Sequence, residues 1–184
     1  MRTQNKRVAL VCAGLAVVNV LFAAVAQAQD VSFEAAQNFA AGRYPASVAV
    51  GDFNDDGVLD LAVPLAGSDS ALSGLVAVLL GNGDGSFQAA RSFVTGRWPL
   101  SIAVGDFNGD GLQDLAVANL GSVDISVLLG NGDGTFQGAQ TFWAESAPLS
   151  VVVGDFNGDG LPDLAVANLP SSHDVSVLIN NTPR

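Results

Sequence analysis

Three stretches of this sequence place acidic and amide side chains in the same pattern. Asp106, Asn108, Asp110 and Asp114 fall at positions 1, 3, 5 and 9 of a loop, with Gly111 at position 6. Asp52, Asn54, Asp56 and Asp60 repeat it around Gly57, and Asp155, Asn157, Asp159 and Asp163 repeat it around Gly160. Position 7 is Val58, Leu112 or Leu161, where a backbone carbonyl can serve as a further donor. Oxygen donors at alternate positions around a glycine-permitted turn are the ligand set of a hard cation such as calcium. Two carboxylates about 4 Å apart near a protein surface repel by roughly 4 kcal/mol, so three converging carboxylates favour a divalent ion. The loop is not an EF-hand. Position 12, where that loop carries a bidentate glutamate ahead of a helix, is Val63, Val117 or Val166. Metal-free Asp/Asn/Gly turns are the plainer alternative, and the matched register of three copies argues against it. The pattern predicts about three Ca2+ sites. Their role is structural, because each is closed by protein ligands and contains no general base.

These loops must be held by regular elements, and the surrounding sequence repeats too. "VSFEAAQNFAAGRYPASVAVGDFN" (31–54) aligns with "GSFQAARSFVTGRWPLSIAVGDFN" (85–108) and with "GTFQGAQTFWAESAPLSVVVGDFN" (134–157). In the middle unit, 99–104, 114–119, 124–129 and 136–142 read as short apolar or alternating strands, and no stretch carries helical spacing. "GNGDG" is a hairpin turn in which Asn and Gly supply positive φ. Four-stranded units recurring at about 50 residues indicate an all-β chain of three antiparallel propeller-type blades. The frame begins with a fourth strand (31–40) and stops after a third (174–179), so the first strand can complete the last blade, either of its own chain, tying the ends of three blades together, or of a second chain. A homodimer closing a six-bladed ring follows as an expectation.

The residues at 52–60, 106–114 and 155–163 resemble the FG-GAP/VCBS repeat family, which includes the propeller of integrin alpha subunits. Members carry a D-x-[DN]-x-D-G-x-x-D calcium loop between the first two strands of a blade, and all three loops here match it residue for residue. The resemblance implies a β-propeller, structural calcium and extracytoplasmic binding or adhesion. The chain departs from the family in encoding three blades, where propellers usually have four to eight.

The N-terminus stands apart. Arg2, Lys6 and Arg7 precede an apolar run ending in Ala26-Gln27-Ala28, which reads as a signal peptide (1–28) ahead of a repeat domain (29–184). An uncleaved membrane anchor is the alternative reading of the same run. Cleavage predicts a secreted or extracytoplasmic protein with no membrane attachment. It also removes Cys12, leaving no cysteine for disulfides. The formal net charge is −11, yet only 14% of residues are charged and 49% are apolar, so the chain is not a disordered acidic tail. With no basic patch, nucleic acid is excluded as a partner.

In an antiparallel meander the acidic loops and the "GNGDG" turns share one end of the strands. The opposite end carries "GRYP" (42–45) and "GRWP" (96–99). Arg43, Tyr44, Arg97 and Trp98 are of the types favoured in binding hot spots. They point to an extracellular protein or glycan as ligand, against a plainer role in packing between blades. The chain is read as a binding module and not an enzyme. The alternatives are a non-binding structural section of a larger propeller and, least favoured, a hydrolase, for which His173 is the one histidine available.

Overall fold

The computed structural model describes residues 30–67, 74–169 and 174–183, so the signal-peptide reading of 1–28 and His173 lie outside the described residues. The chain divides into two units, Met1–Ala36 and Gln37–Arg184. Of the first, residues 30–36 are described; they are exposed and form no strand.

The second unit is all-β among its described residues. Its strands are β1 (Ala49–Gly51), β2 (Asp60–Leu65), β3 (Leu75–Leu79), β4 (Arg91–Val94), β5 (Pro99–Gly105), β6 (Asp114–Asn119), β7 (Asp124–Leu128), β8 (Gln140–Trp143), β9 (Pro148–Gly154), β10 (Asp163–Asn168) and β11 (Val175–Leu178). They form three antiparallel meanders, ordered β1-β2-β3-β4, β5-β6-β7-β8 and β11-β10-β9. These are propeller-type blades, two of four strands and one of three. The predicted strand at 31–40 is absent. A strand is held by ladder bonds to a neighbour, and no described strand lies alongside that segment.

The second strand of each sheet carries the sequence Asp-Leu-Ala-Val, and the two faces of that strand have different neighbours. Leu115 and Val117 of β6 are buried with Val76, Val78 and Phe53 of the first sheet. Ala116 and Ala118 face the other way, into a cluster with Val151, Leu164 and Val166 of the third. Strand β5 packs on β1 and β2 on one side and on β9 on the other, so the second sheet is the middle layer. The ring is not closed. Val48 and Val50 of the first sheet are exposed, whereas Ile102 and Val151, aligned with Val48, are buried.

Leu115→Ala is expected to cost about 2–5 kcal/mol, the range for a fully enclosed leucine. Val48→Ala is expected to cost under about 1 kcal/mol in the isolated chain, because Val48 is exposed there. Urea denaturation of both variants checks the contrast.

Candidate metal centre

The three acidic loops connect β1 to β2, β5 to β6 and β9 to β10. In each, the first aspartate collects backbone amides and curls the chain around itself. The Asp106 carboxylate accepts from Gly109 N and Gly111 N at 2.8 Å and from Asp110 N at 3.1 Å. Asp52 accepts from Asp56 N and Gly57 N, and Asp155 from Gly158 N and Gly160 N. The curl needs a left-handed residue at position 6, and Gly57, Gly111 and Gly160 have φ of 80°, 86° and 81°. Position 4 is left-handed as well. Gly109 and Gly158 hold it in two loops, but in the first it is Asp55, with φ of 57°.

Positions 3 and 5 are joined. The side-chain amide of Asn54, Asn108 or Asn157 donates to Asp56, Asp110 or Asp159 at 2.7–2.8 Å. The other oxygen of that aspartate accepts the amide of Val58, Leu112 or Leu161 at 2.8 Å. Position 9 is different in kind. Asp60, Asp114 and Asp163 are fully buried. One oxygen of each accepts the amide of Phe53, Phe107 or Phe156 at 2.9 Å. The second accepts Gly81 N, Gly130 N or Asn180 N at 2.7–2.8 Å, from the segment following the third strand. Burial pushes the Asp114 carboxyl above the ordinary range, against the two amides that favour its ionised form.

The predicted ligands at positions 1, 3 and 5 are thus brought into one exposed loop, while position 9 lies beneath it, engaged with backbone. Among the described residues no group of three or more acidic, histidine or cysteine side chains forms a ready-made cage. The donor chemistry nevertheless fits a hard cation, because each loop offers only carboxylate, amide and backbone oxygens, with no nitrogen or sulfur ligand.

Sequence reasoning missed several supporting contacts. Gln113, in the second loop, accepts the amide of Asp52 in the first at 2.9 Å, so neighbouring loops are linked. Asn119 donates to Asp124 and Ser126, and Asn168 to Asp174 and Ser176. The recurrence of "AN" followed by "D-x-S" in the second and third units was the available signal. In the "GNGDG" turns, hydrogen bonds from Ser86 and Thr135, the hydroxyls foremost, hold Asp84 and Asp133 below the ordinary carboxylate range.

At the opposite end, Tyr44 and Trp98 both adopt positive φ, 57° and 51°. Their carbonyls accept Ala66 N and Leu120 N, at 2.9 and 3.0 Å, from the loop that follows the second strand. The Arg43 guanidinium lies 5.8 Å from the Tyr44 ring centroid. Tyr44 is 55% and Trp98 44% exposed. Trp98 also covers Gly121, where an added Cβ would come within 3.0 Å of the indole.

Three antiparallel meanders, each with a D-x-N-x-D-G-x-x-D loop between its first two strands, define a propeller-type repeat protein. The sequence matches the FG-GAP-like repeat over residues 65–117 and 106–166, and the chain belongs to that family. The loop at 52–60 precedes the matched ranges yet carries the same position-9 bonds as the other two. No individual curated protein matches the sequence.

Asp114→Ala strands the amides of Phe107 and Gly130 inside the protein. It is expected to cost about 2–6 kcal/mol, since each of the two unmet buried donors costs roughly 1–3 kcal/mol. The loss should appear in chemical denaturation both with and without divalent ions.

Proposed function

We propose that the three loops bind calcium and that the chain is an exported, calcium-stabilised propeller module that binds an extracellular protein or glycan. The observation that carries the calcium reading is the threefold recurrence of one all-oxygen loop with the same side-chain-to-backbone bonds. Asp52, Asn54, Asp56, the carbonyl of Val58 and Asp60 are the donors in the first loop. Asp106, Asn108, Asp110, Leu112 and Asp114 serve in the second, and Asp155, Asn157, Asp159, Leu161 and Asp163 in the third. The cation supplies positive charge among carboxylates that otherwise repel one another. FG-GAP-like repeats are in general a non-catalytic type, and the reading here is binding without chemistry.

At ~1 mM calcium and a Kd of ~0.1 mM, within the range of extracellular modules, each site adds roughly 1.4 kcal/mol to stability. Excess chelator is therefore expected to lower the melting temperature clearly, and calorimetric titration to count about three ions. Asp110→Ala should remove one ion from that count. A melting curve indifferent to chelator argues against the reading.

The ligand face is assigned to Arg43, Tyr44, Arg97 and Trp98, at the end opposite the acidic loops. Two large aromatics held in left-handed backbone and left partly in solvent support a surface shaped for contact. The second reading is packing, favoured by the indole lying over Gly121. Trp98→Ala separates them. Loss of binding on a glycan or matrix-protein array with an unchanged denaturation midpoint supports the ligand face. A shift of more than about 2 kcal/mol supports packing. Export rests on the leader-like residues 1–28. Mass spectrometry of secreted material should find Gln29 as the first residue.

A further inference from the structure

Each four-stranded sheet ends in an arm that carries two phenylalanines, and one repeat shows what they do. Phe136, at the start of the arm leading into β8, meets two rings of the first sheet edge-on. Phe53 lies 5.6 Å away at 66°, and Phe93, in β4, lies 5.2 Å away at 75°. Phe87 is the counterpart of Phe136 one repeat earlier, and Phe39 is the counterpart of Phe93. Phe39 meets Phe87 at 5.1 Å and 75°, nearly the same geometry. Ala41, in the same segment, packs on Val63, Leu65 and Leu79 of the first sheet. Residues 39–41 therefore sit on the first sheet as the fourth strand of one blade sits on the next. What this segment lacks is a third strand beside it.

The third sheet lacks the opposite part. Among the described residues strand β11 pairs with β10 only, and Val175 and Val177 along it and Ile179 just beyond it are exposed. Beside it, between the second and third sheets, lies a cleft of about 560 Å³ lined by Phe107, Phe142, Val127, Leu129, Leu164 and Leu178. Phe107 and Phe142 align with Phe53 and Phe93, and Val127 and Leu129 with Val78 and Leu80. Those four are the groups around Phe136 one repeat earlier. The cleft is thus a phenylalanine seat without its ring. The residue aligned with Phe136 and still unused is Phe33, which is 93% exposed.

We propose that residues 31–40 of a second copy form the fourth strand of the third sheet, with Phe33 of that copy seated between Phe107 and Phe142. The reciprocal exchange closes two chains into a six-bladed ring. In β7–β8 the register pairs Ile125 with Phe142, Ser126 with Thr141 and Val127 with Gln140. The same register sets Val175, Ser176 and Val177 against Phe39, Asn38 and Gln37 of the second copy. Backbone bonds along a free strand edge supply affinity, and the ring in its seat fixes the register. The exchange also brings together the two sheet faces that lack neighbours. Phe156 is 51% exposed, although Phe53 and Phe107, its counterparts, are 2% and 7% exposed, and Val48 and Val50 are bare on the first sheet. A head-to-tail contact of this kind either closes or runs on as a filament, and six blades lie within the range at which propellers close. The proposal rests on packing alone and does not depend on calcium.

Light scattering on the full chain is expected to give twice the monomer mass. In a Cys12→Ser background, Gln37→Cys combined with Val177→Cys is expected to give disulfide-linked dimers, because paired residues on adjacent strands bring their Cα atoms within disulfide reach. Phe33→Ala is expected to raise the dimer dissociation constant by roughly thirtyfold or more, the effect of losing a hot-spot anchor. It should leave the three sheets folded, because the ring is exposed in the single chain, so the far-ultraviolet spectrum should lose no more than the strand contribution of residues 31–40. A monomeric mass, an open ladder of higher masses, a cross-link within one chain or unaltered dimerisation of Phe33→Ala would each overturn the proposal.

Discussion

The buried carboxylate that opens the second strand of each sheet is the contact on which the rest is built. Burying an ionised carboxylate is expensive unless hydrogen bonds replace its water. Asp60, Asp114 and Asp163 obtain two backbone amides each. One amide lies seven residues earlier, inside the acidic loop. The other lies 16 to 21 residues later, just past the third strand. One side chain thereby gathers three separate points of the chain and fixes one end of every sheet. The amide it holds inside the loop belongs to a phenylalanine. Phe53 and Phe107 are consequently fixed where their rings enter the cores between sheets. The acidic loop and the hydrophobic core are not independent features, because the aspartate that closes the loop also sets the aromatic.

The large and small residues of Asp-Leu-Ala-Val give the stack its direction. In the second sheet, leucine and valine face the sheet before, and the alanines face the sheet after. The third sheet obeys the same rule, with Leu164 and Val166 packed towards the second. In the first sheet, Ala62 faces the second, and Val63 faces outward to where a preceding sheet would lie. That outward face is only partly covered, by Ala41 and its neighbours. A shallow cleft of about 370 Å³ remains there, lined in part by Phe39, Val48, Leu61 and Val63. A repeating sheet with unlike faces cannot bury both of them at the ends of a short stack. The apolar surface at each end is a consequence of the repeat itself.

What was legible in the sequence and what was not divide along the same physical line. The strands at 99–104 and 114–119 and the loop between them were readable because short apolar runs and glycine-permitted turns are local. Three copies then averaged out the noise of any one. The absence of a strand at 31–40 was not readable, because a strand exists only where a neighbour pairs with it and local sequence carries no signal of that neighbour. The position-9 aspartates were read as metal donors and not as backbone anchors, since Gly81, Gly130 and Asn180 approach them only after the sheet has folded. The Gln113 bond to Asp52 joins residues 61 apart and has no local signature. The backbone of Tyr44 and Trp98 was not legible either. A residue before proline is ordinarily extended, yet both are left-handed, because Ala66 and Leu120 hold their carbonyls.

The two ends of the sheets are consequently under unequal constraint. At the acidic end, the position-9 carboxylate takes the same two amides in every unit, and the three loops differ little from one another. At the other end, the segments entering each first strand read Gly-Arg-Tyr-Pro, Gly-Arg-Trp-Pro and Ser-Ala-Pro. There the recurring requirement is one backbone bond, from Ala66 to Tyr44, from Leu120 to Trp98 and from Leu169 to Ala147. A carbonyl makes that bond whatever its side chain, so the side chain is free to vary. Where it is aromatic, the left-handed backbone costs about 1–3 kcal/mol, offset by the bond it makes and by the surface the ring covers. A scaffold that holds the residue before each first strand through its carbonyl can change the side chain there without loosening its core. Loops on a rigid scaffold with side chains at liberty are where recognition is most readily built.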